Sequence, residues 1–183
     1  MAACESELLI ESLKAIVGLA GYREGADIES KNYQDAMGAR SIAPVLLLRP
    51  DSTEQVSEIL KACHGAGQPI APQGGMTGLV SAAAPLEGEI SLSFERMKKV
   101  VEVDPFTSSM TVEAGAELQT IQEKADAHGL LFPLDLGARG SCTIGGNLST
   151  NAGGNRVIRY GMMRELVVGL EAVLADGTII DGL

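Results

Sequence analysis

The chain has 183 residues, with 14 Lys plus Arg against 24 Asp plus Glu and a formal net charge of −10. That balance argues against a general nucleic-acid or anionic-membrane binder, because phosphate surfaces need clustered cations. At roughly 150 residues per domain the length allows one domain or two small lobes; with no Trp and 3% aromatics, the core must be aliphatic.

Residues 6–20 place apolar side chains at helical spacing, with Gly21 as the stop. The opening MAACESELLIESLK carries acids before any base, unlike a secretory signal or an Arg-rich transit peptide. Cys4, Cys63 and Cys142 form no CxxC and read as free thiols, so the expectation is a cytoplasmic protein. No apolar run reaches the ~18 residues of a membrane-spanning helix. The stretch 22–43 is polar and irregular and is expected to wrap the surface. An N-terminal helix and wrapping segment (1–43) thus precedes a domain over 44–183.

Val45–Leu48 reads as a strand. Ser52 with Gln55 forms a capping box for a helix through VSEILKACHGA, and Pro69–Ala71 is the next strand. This β-α-β unit favours parallel pairing with a right-handed crossover. Strands are expected over Glu89–Phe94, Lys99–Asp104 and Ser109–Glu113, and an amphipathic helix over 117–128. Leu166–Leu174, Asp176-Gly177 and Thr178–Ile180 read as a hairpin with a type I′ turn. The chain stops just after that strand.

Ten of the 22 glycines fall in two windows, 74–78 and 137–161. Glycine lets a ligand approach the main chain closely. The first window, Pro72-Gln73-Gly74-Gly75-Met76-Thr77-Gly78, follows a strand directly. Successive free N–H groups there make an anion-binding nest, with Thr77 adding a hydroxyl. The second, Ser141 to Asn155, has no charge, two Gly-Gly pairs and seven hydroxyl or amide side chains suited to a large polar ligand. A protein of charge −10 that binds phosphate would use backbone dipoles rather than Lys and Arg. Ordinary tight loops remain the alternative for each window taken alone. No G-x-x-x-x-G-K-[ST] occurs, and Gly65-Ala66-Gly67 precedes a strand rather than opening a helix, so neither a P-loop nor a Rossmann fingerprint is present.

The two windows, with SFERMKKVVEVDP (93–105), VEAGAELQTIQEKADAHGLLFPLDLG (112–137) and RYGMMRELVVGLEAVLADGTII (159–180), resemble the flavin domain of the vanillyl-alcohol oxidase / p-cresol methylhydroxylase superfamily. Within it the likeness is strongest to the D-2-hydroxyacid dehydrogenase branch, whose substrates are of the D-2-hydroxyglutarate or D-lactate type. The resemblance implies an α+β fold: a PCMH-type FAD-binding domain of two small α/β lobes, with FAD in the cleft between them. It assigns Gly74, Gly75, Met76, Thr77 and Gly78 to the FAD pyrophosphate, with Pro72 and Gln73 positioning that loop. It assigns Leu134, Asp135 and Leu136, together with Thr143, Ile144, Gly145, Gly146, Asn147, Thr150, Asn151, Gly153 and Gly154, to the flavin and ribityl side. Relatives that bind flavin covalently through the first loop carry His where this chain has Met76, which implies non-covalent FAD. Cys142 is the other conceivable attachment point but reads as a small buried thiol.

His64 and His128 each end a helix before a glycine and read as C-terminal caps. Arg156, Arg159 and Arg164 read as partners for the excess carboxylates, and Tyr160 as a buttress for the flavin loop. Asp135 either bonds the flavin or turns the chain after Pro133. No catalytic base and no metal cluster stand out. By the resemblance, the groups that deprotonate a hydroxyacid and hold its carboxylate lie in a later substrate domain, and electrons pass to a protein or quinone acceptor. A truncated, non-catalytic FAD-binding fragment and a same-fold flavin reductase of another substrate class stay open.

Overall fold

The computed structural model describes residues 2–183, with side chains from Ser6 onward. The expectation for Cys4 therefore lies outside the described side chains. In chain order the elements are α1 (Ala2–Val17), β1 (Tyr22–Arg23), β2 (Leu47–Leu48), α2 (Thr53–Ala66), β3 (Ile70–Gln73), β4 (Ile90–Ser93), β5 (Val100–Asp104) and β6 (Ser109–Val112). They continue with α3 (Leu118–Ala127), α4 (Ile144–Ser149), α5 (Val157–Tyr160), β7 (Glu171–Val173) and β8 (Ile179–Asp181). The chain divides into two units, Met1–Arg96 with Gly169–Leu183, and Met97–Val168.

The first unit is built on a four-stranded sheet of order β1-β2-β4-β3, with β1 antiparallel and the rest parallel. The β-α-β expectation is corrected in one respect: β2 and β3 do not pair, because β4 lies between them. Leu46, Leu47, Leu48, Ile90 and Leu92 are fully buried in this unit, as are Leu13 of α1 and Ile59 of α2. Each such side chain contributes about 1.5–3 kcal/mol by leaving water. The α1 helix ends at Gly18, which holds a φ of 65°, rather than at Gly21. At the start of α2, the Ser52 hydroxyl accepts from the Gln55 N–H at 3.3 Å. Gln55 Oε1 reaches one residue further back than a capping box requires, to the Asp51 N–H at 3.0 Å.

The β7–β8 hairpin is also corrected. Of the stretch Leu166–Leu174 expected as strand, Leu166 ends a 3₁₀ turn and only Glu171–Val173 is strand. The connection is a three-residue loop: Leu174 N–H donates to Thr178 O at 2.8 Å and Gly177 N–H to Leu174 O at 2.9 Å. Only Gly177, at φ 86°, is left-handed there, whereas a type I′ turn needs Asp176 to be so as well. Packing on α2 selects this geometry. A Cβ on Gly177 would lie 2.7 Å from the Ser57 carbonyl, and the Ser57 hydroxyl donates to Gly177 O at 2.5 Å.

The second unit carries the β5–β6 antiparallel pair and a separate core of Ala116, Leu118, Ile121, Leu134, Cys142, Ile144 and Met163. It is aliphatic, as the scarcity of aromatics requires. The long loop from 133 to 143 is tied to α3 by Gln122 Nε2, which donates to Leu134 O at 2.7 Å.

Candidate functional site

The first glycine window leaves the sheet at the end of β3 and is uncharged through Pro85. Among the described residues, no backbone N–H from Gly74 to Ala83 finds a protein acceptor. Gly74 through Thr77 are half-buried and Gly78 is exposed. Successive N–H groups of this kind form a concavity that favours an anion. Between Gly74 and Gly78 the left-handed residue is Met76, at φ 55°, and not one of the glycines. Gln73, 1% exposed, stands at the loop's base. Its Nε2 lies 2.7 Å from Asn32 O, 3.0 Å from Ala83 O and 2.9 Å from Ser91 Oγ, while its Oε1 is buried without a partner.

The second window behaves differently. At the start of α4, Ile144 N–H donates to Ala116 O at 2.9 Å and Gly145 N–H to Ala114 O at 2.8 Å, so that end of the helix is stitched to the segment before α3. A Cβ on Gly145 would sit 2.9 Å from the Ala114 carbonyl oxygen, and one on Gly154 2.1 Å from the Asp135 carbonyl oxygen. These glycines allow two backbones to touch. Ser149 and Thr150 hydroxyls return to Gly145 O and Gly146 O, and Asn151 Oδ1 accepts from Arg164 N–H. Free groups remain at Gly153 and Gly154, whose N–H groups have no protein acceptor among the described residues, and at Thr143 Oγ1, which is buried and unpartnered. Asn147 is buried and its amide reaches Cys142 Sγ at 3.7 Å.

The structure brings Leu134–Leu136 against the Gly153–Asn155 end of this window. Asn155 N–H donates to Asp135 O at 3.2 Å, and its amide donates to Asp135 Oδ2 at 3.4 Å. Asp135 therefore turns and fastens the chain. The Leu134 side chain points into the core. Asp135 and Arg156 also line a pocket of about 210 Å³ with Gln122, Phe132 and Arg139. Arg164 is corrected from a carboxylate partner to a helix cap, for it donates to Leu148 O and Ser149 O at the end of α4. Arg159 lies over the Tyr160 ring at 5.2 Å. The His128 ring nitrogen Nδ1 lies 2.8 Å from Lys124 O, as a cap of α3.

Cys142 is buried in the second core, and desolvation raises its thiol pKa. Burial pushes the Cys63 thiol up to about 11. Among the described residues, no cluster of His, Cys, Asp or Glu is placed to hold a metal ion, and no helix is long and apolar enough to cross a membrane.

Sequence reasoning passed over Asn32, Asp35 and Ser81, all of which touch the first loop or its anchor. Residues 22–43 are not merely a surface wrap, since Ile28, Asn32 and Asp35 are buried. The Asp35-Ala36-Met37-Gly38 run is an Asx-turn signal that could have revealed the anchor.

Known proteins bear on these loops directly. The family described as FAD binding domain matches residues 44–182. A probable mitochondrial D-2-hydroxyglutarate dehydrogenase of Oryza sativa subsp. indica is 44% identical over 95% of this chain and 31% of its own length. The mitochondrial D-2-hydroxyglutarate dehydrogenase of Bos taurus is 46% identical over 97% of this chain and 32% of its own. The chain thus spans about a third of the length of these curated relatives. The structure of p-cresol methylhydroxylase with substrate bound shares the fold, with a TM-score of 0.75 and 21% identity over 96% of this chain and 35% of that one. The cytoplasmic expectation is overturned by these relatives, whose names place them in mitochondria. It rested on three cysteines read as free thiols and on an opening stretch unlike a targeting signal, and neither feature separates the cytoplasm from another reducing compartment. The mixed α+β fold, the match across both glycine windows and the free backbone donors of the first agree: the chain belongs to the FAD-binding domain family, and FAD is its cofactor.

Proposed function

We propose that this chain is the FAD-binding portion of a dehydrogenase that oxidises a D-2-hydroxyacid, of the D-2-hydroxyglutarate or D-lactate type, to a 2-oxoacid and passes electrons to a protein or quinone acceptor. The observation that carries it is the uncharged loop from Gly74 to Gly78, whose N–H groups have no acceptor among the described residues. In a chain of net charge −10, these donors suit a pyrophosphate without recruiting Lys or Arg. The relatives at 44–46% identity supply the substrate class.

In this reading Gly74, Gly75, Met76, Thr77 and Gly78 hold the pyrophosphate, with Pro72 and Gln73 fixing the loop's departure from the sheet. Leu134, Asp135 and Leu136, with Thr143, Ile144, Gly145, Gly146, Asn147, Thr150, Asn151, Gly153 and Gly154, form the flavin and ribityl side. Within that set, Gly153 N–H, Gly154 N–H and Thr143 Oγ1 are among the donors with no acceptor among the described residues. Ile144, Gly145 and Asp135 shape the wall through the bonds described above. Met76 in the first loop leaves the flavin non-covalent. When bound, FAD accepts the hydride of the hydroxyacid.

The test is titration of the 183-residue chain with FAD, followed by quenching of flavin fluorescence. Saturable binding at one FAD per chain is expected, with all flavin released into the supernatant by acid precipitation. A folded chain that leaves flavin fluorescence unchanged overturns the reading, and flavin retained in the pellet overturns the non-covalent assignment. The FAD-loaded chain is expected to reduce no dye with D-2-hydroxyglutarate or D-lactate; turnover would place a substrate base within these residues.

A further inference from the structure

Among the described residues, no backbone N–H from Gly74 to Ala83 has a protein acceptor, so something else must hold the loop's path. Its anchors converge on residues 32–40, which lie outside the matched family residues 44–182. At one end, Gln73 Nε2 links Asn32 O to Ala83 O. At the other, the Ser81 hydroxyl donates to Asp35 Oδ2 at 2.5 Å, and Arg40 Nη1 lies 3.4 Å from Ser81 O. Asp35 is itself fixed. It is buried, its Oδ1 accepts from Met37 N–H at 3.1 Å and Ala39 N–H at 2.9 Å, and its own N–H donates to Arg40 O at 3.1 Å. The Ser81 hydroxyl, then the Ala39 and Met37 N–H groups, hold the Asp35 carboxyl below the usual carboxylate range. Ser81 sits at φ 55°, a left-handed conformation that L side chains disfavour. A residue stays in such a conformation only where its surroundings impose it. Here the imposing contacts are Asp35 and Arg40.

We propose that residues 32–40 are a clasp that sets the shape of the FAD pyrophosphate loop, with Asp35 as the positioning residue and Ser81 as the point it grips. The clasp leaves the loop's N–H groups without acceptors among the described residues, because the restraint acts on side chains and carbonyls alone. This inference rests on the FAD reading for what the loop holds, but not for the restraint itself.

The experiment compares the full chain with Asp35→Asn and Ser81→Ala, using Ile59→Val in the core of the same unit as a control. Two readouts are taken: FAD affinity by fluorescence titration, and the rate of chymotryptic cleavage after Leu79, which is exposed in the loop, against cleavage after the exposed Phe106. Expected are a tenfold or greater loss of FAD affinity in both clasp variants and a double variant no weaker than either single one. Faster cleavage after Leu79 with an unchanged rate after Phe106 is also expected, and Ile59→Val should behave as wild type in both assays. Clasp variants that bind FAD and resist cleavage like wild type overturn the proposal, as does equal acceleration at Leu79 and Phe106, which reports general loosening. If the wild-type chain binds no FAD, the functional reading fails and the cleavage ratio alone decides the clasp.

Discussion

The two glycine windows look alike in composition and differ in what their glycines do. From Gly74 to Gly78 the backbone donors are unpaired and the residue forced left-handed is Met76. From Ile144 to Gly154 many donors are already consumed, and Gly145 and Gly154 exist because a neighbouring backbone occupies the space of a Cβ. A run of glycine and small polar residues thus presents main chain to a ligand in one place and presses main chain against main chain in another. Whether each N–H has an acceptor separates the two cases.

The most damaging way to probe this contrast is Gly154→Ala. Its methyl would meet the Asp135 carbonyl oxygen at 2.1 Å, and overpacking of this severity costs about 3 kcal/mol. Urea unfolding followed by circular dichroism should show that loss; an unshifted midpoint would mean that the two segments do not touch. Next in size is Gly75→Val, which places a β-branched side chain beside the pyrophosphate. FAD affinity should fall about a hundredfold, equivalent to ~2.7 kcal/mol, while the unfolding midpoint moves far less than in Gly154→Ala. A Gly75→Val chain that unfolds easily but binds FAD normally when folded would reverse the assignment of the first window.

Met76→Asn should stabilise the chain by about 0.5–1 kcal/mol, since Asn tolerates the left-handed conformation that Met76 holds at φ 55°. Its FAD affinity should stay within about twofold of wild type, and a loss of stability would show that the Met76 side chain has a packing role. The smallest effect is a rate. Cys63 and Cys142 are buried with raised thiol pKa values, so alkylation at pH 8 should be slow at both, as read by peptide mapping. Gly154→Ala should speed alkylation at Cys142 and Gly75→Val should not.

Much of the fold could be read from local pattern. The β5 and β6 strands and the α2 and α3 helices fall where periodicity and caps put them, since each is decided by residues close in sequence. The insertion of β4 between β2 and β3 could not be read, because strand order depends on contacts among segments far apart. The hairpin turn was misread for a related reason: Asp176-Gly177 suits a type I′ turn locally, and Gly177 against Ser57 selects the other geometry. For the site, composition located both windows, but it could not tell a free donor from a consumed one. It also missed Asp35, whose partner Ser81 lies 46 positions away.

The seat of the β7–β8 hairpin on α2 bears on the order in which the polypeptide acquires structure. Ser57 and Gly177 are separated by 120 positions, and Thr53 and Glu171 by 118. Closing loops of this length is slow, because the entropy of the intervening chain is lost before the contact returns anything. Synthesis from the N-terminus delivers all of Met97–Val168 before the Gly169–Leu183 portion of the first unit emerges. The second unit thus has its whole core in hand on the ribosome while the side of α2 that meets β7 and Gly177 waits for its partners. Residues 169–183 act as a late fastening of the first unit, and a nascent chain halted before Gly169 would hold the second unit complete while Ser57 and Thr53 on α2 lack their partners.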